Sequence, residues 1–206
     1  MKLFFTALGV AALWTAVASP VAHLDHHLLT AHMVQHLLIM VVAAPLILLG
    51  LRSSLGWYPH PAFCWLAGAL TVIIWHVPAI FELAMQSLSW HAFEQATFFV
   101  SGILFWLPII QPARSLSTGW WIPIYLFLAT LPCDALSAFL AFCDQVVYRP
   151  YMSAGGHGRL SPLEDQALAG ALMWVTVTFV YLIPALVVTA KLLSRQRTQV
   201  VEVGAF

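Results

Sequence analysis

The chain has 206 residues, 62% of them hydrophobic and 8% charged, and its eight basic and eight acidic side chains cancel. With a mean hydropathy of +0.90, it falls outside the range of a soluble globular domain, and its neutral balance offers neither a nucleic-acid surface nor an acidic tail. Three cysteines without CxxC spacing describe neither a disulfide framework nor a zinc knuckle, while nine histidines outnumber eight Lys plus Arg.

Residues 1–19 combine Lys2, an apolar run of about 15 residues and Ala16-Val17-Ala18, which suits a secretory signal peptide or a short first transmembrane helix. PVAHLDHH at residues 20–27 is polar enough to bind metal or simply to be solvated, and solvation is the expectation for His23, His26 and His27. From Leu28 to Leu51 runs an apolar helix, stopped at Gly50, that Pro45 should kink. Further spans fit Pro61 to Phe81, His91 to Ile110 and Gly119 to Phe142. The stretch from Cys143 to Glu164, with Pro150, Gly155, Gly156, Gly158 and Pro162, is a loop. Ser161-Pro162-Leu163-Glu164 reads as a capped helix start, Glu164 reaching back to Ser161, and opens a last span from Pro162 to about Leu193. The expected fold is all-α: a polytopic membrane helical bundle of five spans plus an N-terminal signal peptide or sixth span. Residues 20–193 form its single transmembrane domain and residues 194–206 a cytoplasmic tail.

Basic residues near span ends stay in the cytoplasm. With the C-terminus inside, Lys2, Arg52, Arg114, Lys191, Arg195 and Arg197 are cytoplasmic and only Arg149 and Arg159 lie outside, a ratio of six to two. This places the N-terminal histidine-rich segment outside. His32 and His36 then enter from outside, about 6 and 12 Å below the start of their helix. His76, His91, Glu94, Asp134, Asp165 and Gln166 gather at the same level, and His60 alone among the histidines falls inside.

Imidazoles and carboxylates within apolar spans are expensive, so they are functional candidates. His32 and His36, one helical turn apart, share a face and could hold one metal ion. The alternative is hydrogen bonding of each ring to a neighbouring helix. Met33 is rotated about 100° from His32 and joins only with adjustment. His91 and Glu94 share a face, although His91, at a helix end, could be solvated. Asp134 must be paired, protonated or liganding. Met85 and Met173 read as packing, and Cys133 as a small buried hydrophobe. Imidazole with thioether or thiolate suits copper, Cu(I) in particular; zinc comes second for so mixed a set, and a haem b held by two histidines is the alternative cofactor. There is no CxxCH, HExxH, GxSxG or Walker A loop, which removes covalent haem and the usual hydrolase and nucleotide readings.

Four blocks, AHMVQHLLIMVVAAPLILLG at residues 31–50, WHVPAIFELA at 75–84, HAFEQATFFVSGILFW at 91–106 and SPLEDQALAGALMW at 161–174, resemble in sequence and order the polytopic CtaG-type cytochrome c oxidase assembly factors. The resemblance implies a bacterial inner-membrane protein, not an enzyme, that matures the copper centres of a terminal oxidase. Its partners would be the oxidase subunits, with a copper donor protein as a further candidate. It also places His32, His36, His76, His91, Glu94, Asp165 and Gln166 on the family's polar positions. One departure is Gln95, where many members carry a second histidine to give HxxEH.

Overall fold

The computed structural model describes residues 1–20, 22–51, 59–112, 119–152 and 160–203. Arg52, Arg114 and Arg159, used above to orient the chain, lie outside the described residues, as do Gly155, Gly156 and Gly158.

Helix α1 (Lys2–Ala18) is followed by a 3-10 turn at Ala22–His26, then by α2 (Leu29–Gly50). Next come α3 (Pro61–Trp75), α4 (Pro78–Gln86), α5 (Leu88–Ile110), α6 (Trp121–Phe142) and, after a 3-10 turn at Arg149–Tyr151, α7 (Pro162–Val203). No strand occurs among the described residues, and the architecture is the all-α polytopic bundle expected. Helices α2, α5, α6 and α7 are each long and apolar enough to cross a bilayer, and α3 with α4 makes a fifth span if counted together. Along α7, Val175, Phe179 and Ile183 are exposed at successive turns, and Ile124, Phe127 and Leu131 do the same on α6. Those stripes face hydrocarbon rather than water.

The third span departs from the single helix expected over Pro61 to Phe81. It breaks at His76 and Val77, and α4 leaves α3 at 78°. Pro78 supplies the cause, because it has no N–H to continue the ladder and is well placed at the first position of a new helix. The break leaves the His76 carbonyl without a helical partner, and the Tyr148 hydroxyl donates to it at 3.0 Å.

Pro45 acts differently. Instead of a simple kink, α2 widens into a π-helical stretch at Leu38–Ala43 immediately before it. The wider turn relieves the clash between the proline ring and the preceding carbonyls. Trp106 on α5 donates its Nε1–H to the Met40 carbonyl at 3.1 Å, and the Gln111 amide donates to the Leu48 carbonyl at 3.2 Å. Close approach of the two backbones is possible because residue 102 is glycine: a Cβ there would lie 3.0 Å from the Met40 Cα. Helix α1 packs along the same half of α2, where Gly9 meets Ile47 and Gly50 meets Thr6.

The start of α7 forms as its sequence dictates. The Glu164 carboxylate accepts from the Ser161 backbone N–H at 2.7 Å, and the Glu164 N–H donates to the Ser161 hydroxyl at 3.3 Å.

Candidate metal centre

All the residues of the centre come from one end of the bundle, the end that carries the two 3-10 turns. Leu28 is extended, and α2 begins at Leu29 with no cap from its own side chains. Asp165 of α7 fills that role: one carboxylate oxygen accepts from the Leu29 N–H at 2.6 Å and the other from the Thr30 N–H at 3.2 Å. A carboxylate at a helix N-terminus satisfies orphan donors and complements the helix dipole. It anchors α2 so that His32 and His36 turn inward toward α5.

His32 and Glu94 are completely buried and His36 is nearly so. Both imidazoles aim Nε2 at the same atom, Glu94 Oε1, at 3.5 Å from His32 and 3.6 Å from His36. The two rings lie 4.4 Å apart, centroid to centroid. Neither separation is a hydrogen bond. All four ring nitrogens and Glu94 Oε1 are buried with no hydrogen-bond partner, a costly state for polar atoms surrounded by hydrocarbon and protein. One donor atom from each of the three residues falls within 4.8 Å of the others. Each Nε2 thus stands at ion-pair distance from Glu94 Oε1 on the neighbouring helix α5.

The other oxygen of Glu94 is used. His91, one turn before it on α5, places Nδ1 3.2 Å from Glu94 Oε2 and Nε2 2.8 Å from Asp25 Oδ2. His91 is buried, not solvated. Asp25, folded inward by the first 3-10 turn, also accepts from the Gln35 amide at 3.0 Å, and that amide donates to the Ala16 carbonyl at 2.8 Å as well. The Tyr151 hydroxyl donates to the Asp25 carbonyl and closes the second turn over the first. Burial alone would raise the Asp25 carboxyl, but the hydrogen bond and charge of His91, with smaller contributions from His26 and His32, hold it below its ordinary value of 3.8. Asp25, His32 and His91 form a second three-donor group that shares His32 with the first.

The remaining candidates are placed as follows. His76 lies at the break between α3 and α4, its ring 6.3 Å from that of His36; it belongs to the neighbourhood but not to the three-donor cluster. Gln95 brings its amide to 2.7 Å from His91 Nε2, beside the histidine rather than at the cluster. Asp134 is half-buried on α6, where the Thr178 hydroxyl approaches Oδ1 at 3.4 Å, and it is not brought to the histidines. Asp165 is committed to capping α2. Gln166 is committed to structure too: its oxygen accepts from the Val147 N–H at 2.7 Å and its amide donates to the Gln145 carbonyl at 3.0 Å. Asp25 and Gln35 are the residues that sequence reasoning missed. The available signal was Asp25 itself, the one carboxylate in the polar stretch directly before the His32 helix.

Two buried imidazoles and a carboxylate oxygen, all unpartnered and converging, fit a transition-metal ion in donor type and in number. The paired Glu94 Oε2 and the Asp25–His91 contacts behind it supply the outer support that orients metal ligands.

A family model described as cytochrome c oxidase caa3 assembly factor matches residues 2–57 and 51–195 of the chain. No curated protein and no solved structure gave a match.

Proposed function

The chain belongs to the cytochrome c oxidase caa3 assembly factor family, and from that premise we propose that it carries copper as cargo, held by His32, His36 and Glu94. The reading extends to the site's orientation: the cluster lies at the periplasmic end of the bundle, as the distribution of basic residues predicts. There it would receive copper from a donor protein and assist maturation of the oxidase copper centre without turning over a substrate. The observation that carries the proposal is the set of five buried, partnerless donor atoms on these three residues. An apolar bundle that retains such atoms has a use for them that outweighs their desolvation.

Within this reading each residue has a defined task. His32 and His36 present ring nitrogens from one face of α2, and Glu94 adds a carboxylate oxygen from α5. His91 and Asp25 fix the position of Glu94. The bound ion supplies the positive charge that satisfies the carboxylate. Haem fits less well, because His32 and His36 lie on one helix with rings 4.4 Å apart, and the cavity beside them is about 30 Å³, far below the size of a macrocycle.

The test is the copper content of purified protein from copper-replete cells, set against a His32→Ala, His36→Ala double variant, together with the copper content of the oxidase that each strain accumulates. The proposal expects copper in the wild type, less of it in the variant and a copper-deficient oxidase in the variant strain. Copper absent from both proteins contradicts it.

A further inference from the structure

Next to the His32, His36 and Glu94 cluster, farther along α2, is a cavity of about 30 Å³ whose wall includes Met33, His36, Met40, His76, Cys133 and Met173. This is space for one or two water-sized groups. Four sulfur atoms and two imidazoles around a single void are a donor set unlike the carboxylate cluster beside it. Thioether, thiol and imidazole select soft ions, Cu(I) foremost, and offer nothing to magnesium or calcium.

Two observations set the cavity apart from a packing gap filled by flexible methionines. The first concerns His76. Its Nδ1 lies 2.7 Å from the Val72 carbonyl, and because a carbonyl can only accept, Nδ1 carries the proton. In the neutral ring Nε2 then presents a lone pair, and it faces Met33 Sδ at 3.3 Å. Two soft donors thus meet with no proton between them. Metal-binding histidines are commonly oriented in this way, by donation from the other nitrogen to a backbone carbonyl. Metal bonds of about 2.0 Å to imidazole and 2.3 Å to sulfur place two tetrahedral ligands about 3.5 Å apart, which is close to the spacing already present. The second observation is His36, which lines the same cavity and whose two buried ring nitrogens have no hydrogen-bond partner.

The geometry points to a second metal site: His76 and Met33, with Met40, Cys133 and Met173 around them, bind Cu(I), and His36 stands between this site and the carboxylate cluster. The inference rests on the copper reading above for the identity of the metal, and it adds a place where the reduced ion resides. The two donor sets differ in softness, so the oxidised ion would favour the Glu94 side and the reduced ion the sulfur side.

The test uses full-length protein in detergent, loaded with Cu(I) under ascorbate, read by X-ray absorption at the copper edge and by competition with bicinchoninate. Sulfur scatterers are expected around copper in the wild type. A Met33→Leu, Met173→Leu variant, which nearly conserves side-chain volume, should lose at least half of the sulfur signal and bind Cu(I) about tenfold or more weakly. Glu94→Gln should leave the sulfur signal in place. Copper surrounded only by nitrogen and oxygen in the wild type overturns the sulfur site and leaves the copper reading standing; a wild type that takes up no copper overturns both. Should the double variant fail to fold, the wild-type spectrum decides alone.

Discussion

Replacing Asp165 by alanine separates a ligand from a scaffold. The Asp165 carboxylate caps the helix that carries His32 and His36 and is a candidate ligand by sequence, but both of its oxygens are committed to the Leu29 and Thr30 N–H groups. Both contacts are charge-assisted, and the Leu29 end of the pair is buried. Loss of a helix N-cap costs about 0.5–2 kcal/mol, and hydrogen bonds to charged groups are each worth about 1.5–3 kcal/mol. These figures overlap rather than add, so Asp165→Ala should cost about 2–4 kcal/mol. For a chain of this size that corresponds to a drop of roughly 4–16 °C in melting temperature. Asp165→Asn keeps one acceptor and should lose about half as much. The assay is a thermal melt in detergent alongside copper stoichiometry at saturating metal, where both variants should still bind one full complement below their melting temperatures. A variant that melts like the wild type but binds no metal would refute the capping role and make Asp165 a ligand.

Other consequences are as direct. Glu94→Gln removes the one carboxylate oxygen that both imidazoles face and should weaken Cu(II) binding by about 100-fold or more, the upper end of losses seen even for supporting residues, measured by chelator competition under oxidising conditions. Gly102→Leu drives a side chain into α2, where even a Cβ would approach Met40 Cα to 3.0 Å and Ala44 Cβ to 3.1 Å; it should destabilise the bundle by about 1–3 kcal/mol, seen as a lower melting temperature. Asp25 has a folded value below 3.8, so it stabilises the fold fully above that value and loses this contribution as pH falls through the folded value. The wild type should therefore lose melting temperature below about pH 4, and Asp25→Asn should flatten that acid limb.

What could be read from the sequence was local. The apolar lengths gave the spans, the one-turn spacing gave the common face of His32 and His36, and Ser161 with Glu164 gave a capped start whose partners are three residues apart. The rest depended on contacts between distant segments. Asp165 could be a ligand or a cap, and the choice was made by N–H groups more than 130 residues away in the chain. Pro45 and Pro78 both disturb their helices. Only the donors available nearby, Trp106 for the Met40 carbonyl and Tyr148 for the His76 carbonyl, show how each disturbance is accommodated. Met173 and Cys133 look like ordinary packing in sequence, since nothing in their own helices relates them to Met33 and His36 across a shared cavity.

The central claim is that His32, His36 and Glu94 hold a copper ion, and anomalous scattering at the copper edge from copper-loaded crystals tests it most directly. The account predicts a peak bonded to both imidazoles and to Glu94 Oε1, absent in the His32→Ala, His36→Ala variant. A map with copper elsewhere in the protein and none among these three residues would contradict it.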